Sequence, residues 1–430
     1  MNRTVRSRLA SGALGLALAV LPTAAGAQHP DPDRIAQLTA LAERGLADAQ
    51  TALGYALATG DGVGRDIAAA ERWYRAAAAQ GDATAAFNLA ALIEAEGGDA
   101  AEAAGFYRMA ADAGLPDAAA ALALMYEQGR GVAQDFAEAV RWYRIAADAG
   151  NPAAQVNLAR YYLRGVAVEP DTAEALRLLE AAAGQGLVDA QLALGRLYDR
   201  GEGVPRDAAR ARRWLDAAAA QGDMAAAAEL GALILKSDGD PAEAHRWLTA
   251  AAEAGDLGAQ LDLAALAEAD GAMEEAANWW RAAAEQGDIA AQNNLGRAYD
   301  LGRGVERDVA QALSWYRMAA EQGYAPAQFN LGLKLLEGDG LPADPVAAQA
   351  LFASAAEQGH PPAMLNLGIM LANAATEPDD LVEAYSWIRI AVDAGVPHAF
   401  DALRTLSESL TDEQIAAGQA RAAERPPVRF

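Results

Sequence analysis

The sequence predicts an all-α solenoid of about ten stacked helix pairs, and three observations carry that prediction. Alanine supplies 116 of the 430 residues while aromatic residues make up 6%. The best helix former is abundant and strand formers are scarce, which excludes a mainly β fold. Glycines preceded by short Ala, Glu, Gln or Asp runs fall at Gly45, Gly81, Gly114, Gly150, Gly186, Gly222, Gly255, Gly287, Gly323, Gly359 and Gly395, at intervals of 32, 33 or 36 residues. A near-fixed period of that size marks one supersecondary unit stacked repeatedly. Alanine also buries little area, so an apolar content of 53% cannot build one deep core but can fill thin repeated layers.

In chain order, the first element is a leader. Residues 1–27 carry Arg3, Arg6 and Arg8 with no acid, then an apolar run from Leu9 to Leu21, then Ala25-Gly26-Ala27 before Gln28. Basic, apolar and small-residue segments in that order are the pattern of a secretory signal peptide, with cleavage expected near Ala27. The apolar run of 13 residues falls short of the roughly 20 that a helix needs to cross a bilayer. No later stretch is apolar enough, so no transmembrane segment is expected. The chain has no cysteine, which rules out disulfides and a lipid on an N-terminal thiol. Stability has to come from packing over length. Cleavage removes three arginines and no acid, moving the formal charge from −25 to −28, and such a surface repels nucleic acid and anionic headgroups. The expected address is the periplasm or the medium.

Residues 33–44 read as a lone N-terminal capping helix, followed by the repeat region over 45–395. Eight residues after each marking glycine stands a leucine, as at Leu53, Leu158, Leu194, Leu295 and Leu331, usually followed by a small residue such as Gly54, Gly195, Gly296 or Gly332. A larger residue four positions on, such as Tyr126, Tyr162, Tyr198 or Tyr299, shares that helical face. The small residue is expected to let the second helix approach. Eight residues before the next mark, the second helix carries Trp73, Phe106, Trp142, Leu178, Trp214, Trp247, Trp279, Trp315, Leu351 and Trp387, with Trp280 as a neighbour. Identical placement in every unit reads as a wedge between helices, and truncating one such tryptophan is expected to cost about 3–5 kcal/mol.

Five longer units join their helices through Gly-x-Gly, for example Gly129 and Gly131 or Gly302 and Gly304, followed by an apolar residue such as Val132 or Val305. These are turns rather than phosphate cradles, which need a strand-to-helix setting. Asp99 with Glu102, Asp135 with Glu138, Asp171 with Glu174, Asp240 with Glu243, Asp308 with Gln311 and Asp380 with Glu383 have capping-box spacing, so the recurring Asp is read as a helix cap. Residues 396–425 are expected to close the stack with two further helices, the last opening at Thr411, and 426–430 form a frayed tail.

The segment Ala291 to Gly323, AQNNLGRAYDLGRGVERDVAQALSWYRMAAEQG, resembles a Sel1-like repeat, and similar units run from Gly45 to Gly395. Sel1-like repeats are similar to tetratricopeptide repeats with a longer connector. The resemblance implies a right-handed superhelix of antiparallel helix pairs whose first helices line the concave side, and a role as an adaptor that holds proteins or peptides, in exported bacterial members by docking onto an envelope sensor, secretion or polysaccharide component. It also implies two alternatives. One is an exported enzyme acting on β-lactams or peptidoglycan, although this chain lacks the cysteines of such relatives. The other is a self-assembling structural scaffold.

No constellation for catalysis stands out. His29, His245, His360 and His398 lack metal-ligand spacing, and neither Lys236 nor Lys334 has a serine three residues before it, so S-x-x-K is absent. No catalytic residue, cofactor or metal is expected. By tetratricopeptide geometry, the positions just before the leucine and two after it face the groove. Asn88, Asn157, Asn294, Asn330 and Asn366 occupy the first; Arg160, Arg196 and Arg297 occupy the second; Arg164 and Arg200 lie one turn on. In so acidic a chain these arginines are expected to hold a carboxylate on a protein or peptide partner. The competing reading pairs them with Asp199, Glu169 or Glu202 in ordinary surface ion pairs.

Overall fold

The computed structural model describes residues 32–237 and 239–425. The leader over 1–27, His29 and the tail over 426–430 lie outside the described residues. The chain divides into two units, one ending at Asp223 and the other starting at Met224. The first holds α1 (Pro32–Glu43), α2 (Ala47–Thr59), α3 (Ile67–Ala78), α4 (Ala83–Ala95), α5 (Ala100–Asp112), α6 (Pro116–Gln128), α7 (Phe136–Asp148), α8 (Pro152–Arg164), α9 (Thr172–Gly184), α10 (Val188–Arg200) and α11 (Ala208–Ala219). The second holds α12 (Met224–Lys236), α13 (Pro241–Glu253), α14 (Leu257–Ala269), α15 (Met273–Glu285), α16 (Ile289–Leu301), α17 (Val309–Glu321), α18 (Ala325–Glu337), α19 (Pro345–Glu357), α20 (Pro361–Ala374), α21 (Pro378–Asp393), α22 (Ala399–Ser407) and α23 (Asp412–Glu424). Among the described residues there is no strand, and no helix is long and apolar enough to cross a membrane. Within each unit every helix up to α21 packs on its sequence neighbours, and α21 also packs on α23.

Aspartate starts many of these helices. Asp135 accepts from the backbone N–H groups of Ala137 and Glu138, Asp171 from Glu174 and Asp308 from Gln311, which satisfies donors that the first turn cannot. The glutamates three residues on do other work: Glu102 pairs with Arg75, Glu138 with Arg141 and Glu174 with Arg177. Asp380 departs from the expected role. Glu377 is the cap residue of α21, and Asp380, already inside the helix, accepts from the N–H groups of Thr376 and Glu377. Farther along, at the start of α23, Thr411 and Gln414 exchange both bonds of a reciprocal capping box.

In most repeats the wedge between paired helices is the residue after the stripe rather than the stripe itself. Tyr74, Tyr107, Tyr143, Leu179, Leu215, Leu248, Trp280, Tyr316, Phe352 and Ile388 are all buried, whereas Trp73, Phe106, Trp214, Trp247, Trp279, Trp315 and Leu351 are half-buried; at Trp142, Leu178 and Trp387 the stripe residue is buried as well, as expected. A Cβ on Gly54 would stand 2.8 Å from the Tyr74 ring, and one on Gly332 would stand 2.7 Å from that of Phe352. One residue turns a helix by about 100°, so the inner position faces its partner helix and the stripe lies at the edge of the layer. A half-exposed edge suits an indole, whose N–H can reach a polar group. The half-buried Trp279 donates to Glu275 in this way, and the buried Trp387 donates to Glu383.

In longer repeats the connector locks the repeat onto the one before. The second connector glycine rests on the first turn of the preceding second helix: a Cβ on Gly131 would fall 2.1 Å from the Ala100 oxygen, and one on Gly304 would fall 1.9 Å from that of Met273. Both have φ near +70°, so conformation and space require glycine together. The connector after α8 puts Ala167 there instead, at φ +56°.

Candidate functional site

In the first unit the predicted arginines sit on two neighbouring first helices, α8 and α10. Arg160 reaches back one repeat to Glu127 at the end of α6, with Nη2 to Oε1 at 2.7 Å. The other oxygen of Glu127 accepts from the Tyr143 hydroxyl at 2.8 Å. The preceding repeat has the same arrangement, where Glu94 accepts from Tyr107 at 2.8 Å and pairs with Arg130 at 2.8 Å. Burial, then the facing carboxylates, push the hydroxyls of Tyr107 and Tyr143 well above the ordinary range. Tyr161 is buried beside this pair, and burial followed by the Glu127 charge pushes its hydroxyl up to about 12. Arg164 is exposed at the end of α8 and carries no ion pair among the described residues. Arg200, also exposed, meets Glu202 at 3.6 Å, whereas Asp199 is taken by Arg206 at 3.3 Å. Asn157 and Arg196 are half-buried on the same helices.

In the second unit Arg297 on α16 pairs with Glu268 on α14 at 3.0 Å. Asn330 on α18 donates to Asn293 on α16 at 2.9 Å, and Asn366 turns back onto the Pro362 carbonyl at 3.0 Å. Asn294 is half-buried. Lys334 lies between Asp300 at 2.6 Å and Asp339 at 3.1 Å. Burial pulls its ammonium down, but the hydrogen bonds to both aspartates outweigh that and hold it above its ordinary value. Arginine two residues after the repeated leucine thus has a structural partner in two repeats, the acid five residues after the previous leucine: Glu127 for Arg160 and Glu268 for Arg297. The spacing of the arginines alone did not reveal it, because the acid lies one repeat away.

Sequence reasoning also missed a set of buried amides. Gln50, Gln155, Gln191, Gln260, Gln292 and Gln328 are each at most 6% exposed. Each donates Nε2 to the carbonyl eight residues back, in the preceding second helix, for example Gln260 to Ala252 at 3.0 Å and Gln292 to Ala284 at 3.3 Å. Each also accepts at Oε1 from the glutamine just before the next marking glycine: Gln80, Gln185, Gln221, Gln286, Gln322 or Gln358, at 2.7–3.2 Å. One amide thereby ties three helices. The signal was present as pairing within the chain. Where the inner position is Ala86, Ala119, Ala227 or Met364, the outer one is Ala113, Ala149, Ala254 or Ala394.

The histidines that the structure describes do local work. Nδ1 of His360 caps α20 by accepting from the Ala363 N–H at 3.4 Å, and burial lowers its pKa. His398 precedes α22 at φ +64°. His245 lies 3.6 Å from Glu275. Among the described residues no group of His, Cys, Asp and Glu could hold a metal ion. What these faces offer chemically is hydrogen bonding and charge, on first helices that lie side by side within each unit.

Comparison with known proteins agrees with this geometry. The Sel1 repeat matches ten consecutive segments, from 47–82 to 361–396. The crystal structure of c5321, a protective antigen of uropathogenic Escherichia coli with an SLR fold, is similar at 31% identity and TM-score 0.63, over 90% of this chain and 93% of that one. A Sel1 repeat protein from Oxalobacter formigenes is 28% identical over 81% of this chain and 96% of its own, with TM-score 0.43. No curated protein matches. Ten tandem matches, and helix pairs that pack in the same order, make this chain a member of the Sel1 repeat family.

Proposed function

We propose that this chain is an exported, non-catalytic scaffold that holds a protein or peptide partner along the face of its first helices, and that an exposed carboxylate on the partner docks at the arginines of α8 and α10. Repeat folds of this kind commonly mediate protein–protein interaction, and the face of stacked first helices is the surface they offer. The observation that carries the carboxylate reading is Arg164. It is an exposed guanidinium with no ion pair among the described residues, one turn from Arg160, in a chain of net charge −25. Forked donors of that kind suit a carboxylate. Arg160 adds charge but is already paired with Glu127, so Arg164, which is exposed, and Arg200, which is exposed and held only by a 3.6 Å contact to Glu202, are the groups a partner reaches.

Export follows from the leader pattern over residues 1–27, with cleavage near Ala27 and release to the periplasm or the medium. Mass measurement of the mature N-terminus tests this directly, since retention of Met1 or Arg3 is incompatible with it. For partner binding, the exported protein is crosslinked in place and the retained species identified, with Arg164→Ala/Arg200→Ala as control. Both residues are exposed, so the double variant should melt as the parent does, within about 0.5 kcal/mol. A partner retained by the parent and lost in the variant supports the reading. Undiminished retention removes the arginines from it, and failure to retain any protein removes the scaffold function itself.

A further inference from the structure

Six second helices carry a glutamate four residues before the stripe position: Glu102, Glu138, Glu174, Glu243, Glu275 and Glu383. At three of them a guanidinium is held against both the carboxylate and the aromatic ring. Arg75 of α3 lies 2.5 Å from Glu102 and 5.6 Å from the Phe106 centroid. Arg141 lies 3.0 Å from Glu138 and 4.3 Å from the Trp142 centroid. Arg425, just past α23, pairs with Glu383 and stands 3.5 Å from the Trp387 centroid. In that last case the indole also donates to the same glutamate, at 3.0 Å.

Glu275 and Trp279 on α15 repeat the last arrangement without the cation. Trp279 Nε1 donates to Glu275 Oε1 at 3.4 Å. Asn278 stands where Trp142 has Arg141, and among the described residues no arginine pairs with Glu275 or stacks on Trp279. Two nitrogen-bearing side chains are nearby. His245 Nε2 lies 3.6 Å from Glu275, and Arg281 is held away by Asn278 at 2.9 Å and Tyr299 at 3.2 Å. The space before the half-buried indole is an open pocket of 540 Å³ bounded by Glu274, Glu275, Asn278, Trp279 and Met273.

We propose that this pocket receives an arginine side chain of a partner protein, with its guanidinium over the Trp279 indole and paired with Glu275. Three filled copies of the same constellation within this chain take arginine rather than lysine. A planar guanidinium can stack and pair at once, which a compact ammonium cannot. The net charge of −25 favours a cationic contact as well. The inference rests on the scaffold reading only for what carries the arginine, and the probe below needs no partner.

The test follows the Trp279 indole N–H resonance of the full chain, assigned with Trp279→Phe, during titration with N-acetyl-arginine amide. N-acetyl-lysine amide and N-acetyl-citrulline amide serve as controls. The expected result is a saturating shift with a dissociation constant on the order of millimolar for arginine. Binding should be about fivefold weaker for lysine and absent for uncharged citrulline. Glu275→Gln should weaken arginine binding about tenfold. Asn278→Arg, at an exposed position, should fill the pocket from within as Arg141 does, shifting the resonance without probe and abolishing the response. No shift with arginine, an equal shift with citrulline, or an unchanged response in Glu275→Gln overturns the proposal. Any of these leaves the first-helix reading standing, because retention of a partner is measured separately.

Discussion

Replacing Phe352 by alanine separates the two adjacent positions of the second helix. Phe352 is 0% exposed, its ring is 2.7 Å from where a Gly332 Cβ would be, and its centroid lies 5.8 Å from that of Phe329. Losing a fully buried aromatic side chain forfeits about 2–3 kcal/mol of transfer free energy. A residual cavity of roughly 100 Å³ adds about 2 kcal/mol, and partial collapse of the walls brings the total to about 3–5 kcal/mol. Leu351 is half-buried at the stripe position, so Leu351→Ala should cost only about 1–2 kcal/mol. Stacked repeats can open piecemeal, so one melting temperature would blur the comparison. The assay is urea unfolding of the full chain combined with hydrogen exchange across α18 and α19. A loss at Leu351 equal to or larger than that at Phe352 would refute the assignment of the inner position.

The same substitution should have opposite signs at two glycines. Gly105→Ala, with no atom within 4 Å of the added carbon, should stabilise α5 by about 0.5–1 kcal/mol. Gly296→Ala, whose Cβ would meet the Tyr316 ring at 2.8 Å, should destabilise α16 by about 1–2 kcal/mol once overpacking exceeds the gain in helix propensity; denaturant midpoints that move the same way contradict the close-approach argument. Gln292→Leu should cost about 0.5–1.5 kcal/mol, since the Ala284 carbonyl loses its side-chain donor but keeps the Gly287 N–H and the Gln322 amide loses an acceptor, whereas Gln322→Ala leaves the Ala284 bond in place and should cost about 0.5–1 kcal/mol; exchange at the α15 carboxyl end distinguishes them. In alkali, a hydroxyl whose folded pKa is raised contributes stability that is complete below its unfolded value and vanishes as pH climbs through the folded one. For Tyr161 that window runs from 10.0 to about 12. Part of the tyrosinate absorbance should therefore rise together with loss of helical circular dichroism, and titration of every tyrosine near pH 10 with helix intact would contradict it.

Much of the fold could be read from the period. Alanine content, glycine marks and Asp caps each act within one helix or one turn, and local chemistry decides them. The inner wedge was misplaced by one residue because Trp73 and Tyr74 are both large. Only the packing angle of the partner helix tells which of them points inward. Asp380 was misread for a related reason, since α21 begins at Pro378, two residues before Asp380. At the candidate site the positions of Arg160 and Arg297 were legible, but their acids were not. Glu127 and Glu268 are 33 and 29 residues away, and nothing local to the arginine signals them. The glutamine amides were the opposite case, legible within the chain itself once inner and outer positions are compared repeat by repeat.

Those amides also set how such a chain can change length. Gln260 and Gln286 bond at 2.8 Å although 26 residues separate them, while the other five pairs span 30. The four missing residues were taken from the connector, between the two bonded glutamines and away from both, and the bond did not register their loss. Insertions and deletions confined to connectors are therefore invisible to the ladder. Duplication of one whole period adds a rung complete with its partner. A break anywhere else strands one amide without its mate, and glutamine is accordingly missing from both positions together, as at Ala86 with Ala113 and Met364 with Ala394.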